Sequence, residues 1–266
     1  MHRTRLVVGT IGVMALLLAL LTGPASADHS WNDYHWARQS NPFTLQVIDS
    51  VTTNWQTDYN TALGDWSEAD EFAMTTTSAQ DDAKTRKRCQ TATGMIRVCN
   101  ASYGQNGWLG LASISIDSNH HITSGVAKMN DSYDWYFASK PGETLHVMCQ
   151  EIGHLFGLGH TSEDGTSQNT CMDYSNSVTS QHPNSHDYDQ LAAIYGHVDS
   201  YTTLAGGDGG GSGGGTCRGP SWKCGGSGSP DDFGQLVSSS EHHQLWMKRG
   251  PGGETTLTHL TLAPRR

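Results

Sequence analysis

Hydrophobic and polar positions change rhythm several times along the chain. Phe43-Thr44-Leu45-Gln46-Val47-Ile48 alternates with period two, which predicts a strand with one buried face. Trp55, Tyr59, Leu63 and Trp66 then recur at helical spacing, predicting a helix whose stripe faces a core. The runs 72–77, 95–99, 109–116 and 121–129 read as further strands. Two helical patterns follow. One covers 141–156, with Pro141 near its first turn and Gly157 just beyond its end. The other covers 186–195, where Tyr188, Leu191, Ala192 and Tyr195 share a face. The order β-α-β-β-β-β-α-α predicts a mixed α/β or α+β domain, with α+β the expected class. Near the C-terminus, 244–248 and 256–260 flank Gly250-Pro251-Gly252-Gly253, a hairpin signal. Two strands alone are only marginally stable, so this tail is expected to lean on the body.

Composition divides the chain. Residues 205–230 hold 12 glycines, with Cys217 and Cys224 embedded. Such a stretch buries too little apolar surface to offset its chain entropy and reads as a linker or a stapled loop. It separates a body at 28–204 from the tail at 231–266. At the other end, Arg3 and Arg5 precede an apolar run over 6–21 and the small-residue site Ala25-Ser26-Ala27, so 1–27 reads as a cleaved signal peptide. The expected mature protein is secreted, extracellular, off the membrane and monomeric.

Export makes the six cysteines a disulfide framework. Six allow 15 pairings, and the sequence alone does not choose among them. Their order suggests neighbours: Cys89 with Cys99, Cys149 with Cys171, Cys217 with Cys224. With 16 Lys+Arg against 26 Asp+Glu, and a net charge of −10, the chain is no nucleic-acid binder that neutralises many phosphates.

Chemistry concentrates in Cys149-Gln150-Glu151-Ile152-Gly153-His154-Leu155-Phe156-Gly157-Leu158-Gly159-His160. On a helix, positions 150 and 154 stack on one face and 151 lies beside them. Gly157 allows a turn that swings His160 back towards His154. Two ligands, a flanking carboxylate and a further ligand after a glycine turn form the pattern of a catalytic zinc site.

These residues resemble the metzincin zinc peptidases, whose signature is H-E-x-x-H-x-x-G-x-x-H followed by a Met-turn. Glu151, His154, Gly157 and His160 match, Cys171-Met172-Asp173-Tyr174 is similar to the Met-turn, and 186–195 resembles the closing helix of matrixin-like members. The resemblance is strongest over 145–196 and absent after about 204. It implies a twisted mixed sheet with an active-site helix and a C-terminal helix. It also implies a secreted metalloendopeptidase acting on peptide or protein, with a zinc-activated water and Glu151 as general base. Tyr174 stands where related branches place a tyrosine near the metal, as ligand or oxyanion donor; a core tyrosine is the other reading. The strand at 108–114 is similar to the one that pairs with extended substrate, and an ordinary core strand fits it equally.

The main departure is Gln150, where the family has its first histidine. Three outcomes stay open. Gln150 ligates zinc through its amide oxygen beside His154 and His160; another group or a water completes the sphere; or metal and activity are lost, leaving a peptide- or protein-binding pseudo-peptidase. An amide oxygen is the poorer donor, because zinc prefers nitrogen and sulfur. His146 is too far along the helix to replace the missing ligand and reads as a solvated or capping side chain. Cys149 points away from the 150/154 face and reads as a disulfide partner. His120, His121, His182, His242 and His243 lack zinc spacing and read as solvated loop residues. Glu163 and Asp164 lie just past His160 and read either as groups supporting the site from outside or as a solvated acidic loop. No organic cofactor is implied, and structural calcium has no support in the sequence.

Overall fold

In the computed structural model of the chain, residues 29–79, 81–206 and 232–264 are described. The expected signal peptide and the Cys217/Cys224 stretch lie outside them. The described residues form an α+β structure around one twisted mixed sheet with few helices. β1 (His35–Trp36) and β2 (Phe43–Ser50) precede α1 (Gln56–Trp66), β3 (Phe72–Ser78) and α2 (Ala83–Arg88). Next come β4 (Met95–Ala101), β5 (Trp108–Ile116) and β6 (His121–Asn130), then α3 (Asp134–Ser139), α4 (Glu143–His154) and α5 (Ser185–Ile194). The tail adds β7 (Gln235–Ser239), β8 (His243–Arg249) and β9 (Thr255–Leu262).

Strand order is β3-β2-β4-β6-β5-β9-β8-β7, with β1 paired to β6. β3, β2, β4 and β6 run parallel, whereas β5 is antiparallel to β6. Inward residues of β2, Phe43, Leu45 and Val47, are buried, as the period-two pattern requires. On α1, Tyr59, Ala62, Leu63 and Trp66 are buried, and this helix packs against α4. α4 also lies against β5 and β6 and is buried along nearly its whole length. An α-helix enclosed all round sits inside a core rather than on its surface.

Two disulfides join Cys89 to Cys99 and Cys149 to Cys171. The second fastens α4 to the loop carrying Met172. No helix among the described residues is long and apolar enough to cross a membrane.

The tail corrects the reading of 108–114 as a strand open to substrate. β9 runs antiparallel along the length of β5, with Ala112 opposite His259 and Leu111 opposite Leu260. The edge expected to receive an extended peptide is filled by the chain's own C-terminal segment. The tail is also three-stranded rather than a hairpin, because β7 pairs with β8.

Candidate metal centre

α4 ends at His154, and the chain reverses through Gly157, which has φ +95°. A side chain there is excluded twice: the left-handed region disfavours one, and a Cβ would lie 1.9 Å from the Tyr34 carbonyl oxygen. The turn brings His160 Nε2 to 3.1 Å from His154 Nε2. His154 Nδ1 lies 2.8 Å from the Leu158 carbonyl oxygen and so donates to it, leaving the Nε2 lone pair turned inwards. Beneath the helix, Met172 approaches so closely that a Cβ on Gly153 would meet its Sδ at 2.6 Å.

A third imidazole arrives from the tail. His259 on β9 has its ring centroid 4.2 Å from that of His154 and 4.7 Å from that of His160. One ring nitrogen from each of the three lies within 4.8 Å of the others, so the group could hold a metal ion. Tyr174 Oη closes the cluster, 2.7 Å from His160 Nε2 and 2.9 Å from His259 Nε2. Burial first, then the neighbouring imidazoles, push the His154 pKa down to about 3 and that of His160 well below its ordinary value. Burial likewise holds His259 well below the usual range. All three are therefore neutral bases near pH 7, the form in which imidazole ligates metal.

Gln150 does not join them. Its amide nitrogen donates to the carbonyls of Cys171 at 3.0 Å and Asp173 at 2.9 Å, and its oxygen accepts from Thr261 Oγ1 at 2.7 Å. The amide is a buried tie between α4, the Met172 loop and β9, with its hydrogen-bonding atoms turned to these partners rather than to the imidazoles. Glu151 does reach the cluster, with Oε2 3.4 Å from His259 Nδ1. Its Oε1 lies 2.6 Å from Thr261 Oγ1. The single Thr261 hydroxyl proton is shared between the Gln150 amide oxygen and the Glu151 carboxyl oxygen. Burial, opposed by His154 and the Thr261 hydrogen bond, pushes this carboxyl up to about 7.

The histidines expected in solvent divide. His146 is buried, its Nε2 2.9 Å from the Asp173 carbonyl oxygen. His243 is also buried, beside His160 with ring centroids 5.4 Å apart. His121 packs against Asp199. His182 keeps a half-exposed side chain and bonds Asp65. Glu163 is exposed and also lies 3.5 Å from His160 Nδ1. A cavity of about 240 Å³ opens beside the three imidazoles, lined also by His29, Trp31, Glu163 and His243. Sequence reasoning missed His259 because no local spacing relates it to His154. The available signal was a histidine two residues from Leu257, on one face of the predicted strand at 256–260.

Two further donor groups lie among the described residues: His29 with His186 and Asp187, and His35 with His121 and Asp199. The molecule is thus an α+β protein with a buried three-histidine centre able to hold a metal ion. No family model matches the chain, and no curated protein matches it. Among solved structures, that of myroilysin matches at 14% identity over 66% of this chain and 87% of that one, with a TM-score of 0.36. A likeness that low says nothing of activity.

Proposed function

We propose that the protein is a secreted zinc-dependent metalloendopeptidase whose metal is held by His154, His160 and His259. The observation that carries this reading is the convergence of three neutral imidazoles beside Glu151, Tyr174 and a cavity. Three protein ligands with a position left open are the arrangement of catalytic rather than structural zinc. Zinc, when bound, supplies a Lewis acid for the scissile carbonyl and lowers the pKa of water. Glu151 takes the water proton and passes it to the leaving amine. Tyr174 donates its hydroxyl proton towards the developing oxyanion. His259 does the work that the metzincin pattern assigns to the first histidine, so the loss of that residue at position 150 is made good from the tail. Peptide enters through the cavity beside Trp31 and Glu163, since β9 already covers β5.

The covering of β5 by β9 favours a second reading, in which the same scaffold is a catalytically silent peptide- or protein-binding protein with its cleft closed by its own tail. His259→Ala separates the two. If His259 is a ligand, the variant loses its zinc on dialysis and cleaves no protein substrate. If the tail is only a plug, the variant keeps its zinc, and cleavage stays absent or rises above that of the parent. Glu151→Gln serves as control, with zinc retained and cleavage abolished.

A further inference from the structure

A second cluster of donors shares no residue with the centre just described. His35 lies on β1 and is paired in register with His121 at the start of β6, while His197 and Asp199 lie beyond the end of α5. Asp199 Oδ1 is 3.3 Å from His121 Nε2, 3.5 Å from His35 Nε2 and 3.6 Å from His197 Nε2. His35 Nε2 and His197 Nε2 are themselves 3.2 Å apart. In a tetrahedral site with zinc–nitrogen bonds of about 2.0–2.1 Å, neighbouring ligand atoms lie roughly 3.3–3.4 Å apart. These four separations fall close to that value; His35, His121 and Asp199 offer donor atoms that all lie within 4.8 Å of one another, whereas His197 stands outside that group, next to His35 and Asp199.

The outer partners fix which nitrogens face inwards. His35 Nδ1 lies 2.6 Å from the Asp33 carbonyl oxygen, an acceptor only, so Nδ1 carries the proton and Nε2 presents a lone pair. His121 Nδ1 lies 2.5 Å from Tyr201 Oη, whose own proton is donated to Asp117. That leaves the phenol oxygen to accept from His121, and the His121 Nε2 lone pair also turns inwards. Asp199 is oriented just as firmly. Its Oδ2 accepts from the Arg38 backbone N–H at 3.0 Å and from Arg38 Nη1 at 3.1 Å, so Oδ1 is left for the cluster. Lone pairs converging on a carboxylate oxygen repel one another unless a cation lies among them. Histidines tied through Nδ1 to a carbonyl or a hydroxyl are the usual support of a metal ligand.

We propose that His35, His121, His197 and Asp199 form a second, structural site for a tetrahedral divalent cation of the zinc class. It joins β1, the start of β6 and the chain beyond α5. Its donor set closes at four protein ligands, as in structural zinc sites, once the half-exposed His197 ring turns from His35 towards the ion.

The test uses the full chain carrying His154→Ala and His160→Ala, so that the first centre contributes no metal. After incubation with zinc ion and dialysis, this variant retains one zinc per chain and melts higher with zinc than without it. Adding His197→Ala, whose side chain is half-exposed and whose loss leaves the fold in place, loosens that zinc by at least about 10-fold. Tyr201→Phe, which removes only the support of His121, loosens it by roughly 10–100-fold. Cobalt(II) bound in place of zinc gives the absorption of a tetrahedral ion. No retained zinc in the starting variant would overturn the proposal, leaving an imidazolium–carboxylate network held together by protons. Retained zinc that neither His197→Ala nor Tyr201→Phe weakens would overturn it equally, placing the ion among other donors.

Discussion

Gln150 and Glu151 are neighbours on α4 with opposite surroundings, one spent on structural hydrogen bonds and the other turned to the imidazole cluster. Histidine at position 150 would therefore replace a side chain making three buried hydrogen bonds by one that can make at most two. Gln150→His should leave zinc affinity unchanged and cost about 1–3 kcal/mol, the usual penalty for a buried polar group left unpaired. Urea denaturation and zinc titration check the two halves separately. Zinc bound more tightly by the variant would show that position 150 reaches the ion after all. The pairing of His154 with His160 was legible in the sequence because helix rise and one glycine turn fix it locally. His259 was not, because its place depends on the register of β9 on β5, with Ala112 opposite it. No spacing rule spans 99 residues. The same holds for His121, whose partners His35 and Asp199 come from opposite ends of the body.

At the scale of elements, alternation and helical stripes were legible wherever a face is buried. β2, α1, β4, β5, β6, α4 and α5 all overlap the predicted runs, with boundaries moved by a few residues. α5 starts at Ser185 because Asn184 and Asp187 form a reciprocal cap there. α2 had no such pattern. It buries no residue and is capped by the Asp82 side chain accepting from the Thr85 backbone N–H. β1 is two residues long, too short for any periodicity.

β6 read as a strand and is one, yet it carries Lys128 at 1% exposure, with the ammonium 5.6 Å from the centre of the Tyr103 ring. Burial lowers this lysine from 10.5 to about 8, against the opposing pull of Asp232. Between those values the unfolded chain binds a proton that the folded chain does not, so stability rises with pH across the window. The rise is worth up to about 3 kcal/mol over the whole shift. Burial of Tyr59, Tyr103 and Tyr195 raises their pKa values, so their contribution is lost only above about pH 10. Denaturation midpoints measured between pH 8 and 9.5 should climb, and Lys128→Met should flatten the climb. A flat profile in the parent would mean that the ammonium is solvated.

For the whole molecule, the question is whether the C-terminal strands are an appendage or part of one cooperative unit. β9 is hydrogen-bonded along β5, and a compact apolar cluster spans the junction. Tyr103, Trp108 and Leu111 of the body meet Phe233 and Leu260 of the tail, with Trp246 of β8 packed alongside. Leu260 is 2% exposed, and its loss to alanine leaves a cavity as well as removing apolar burial. Such a substitution costs about 2–5 kcal/mol, against a total of roughly 5–15 kcal/mol for an ordinary domain. Leu260 also adjoins His259, so the strand that holds the third imidazole is the strand being loosened. Leu260→Ala should therefore lower a single unfolding transition rather than split it. Amide exchange in β9 and in β6 should accelerate together, since both report the same opening. If His259 holds zinc as proposed, zinc should restore part of the loss, because such binding favours only the docked tail. Exchange that quickens in β7–β9 alone, with β6 as protected as in the parent, would show instead that the tail opens on its own while the body stays folded.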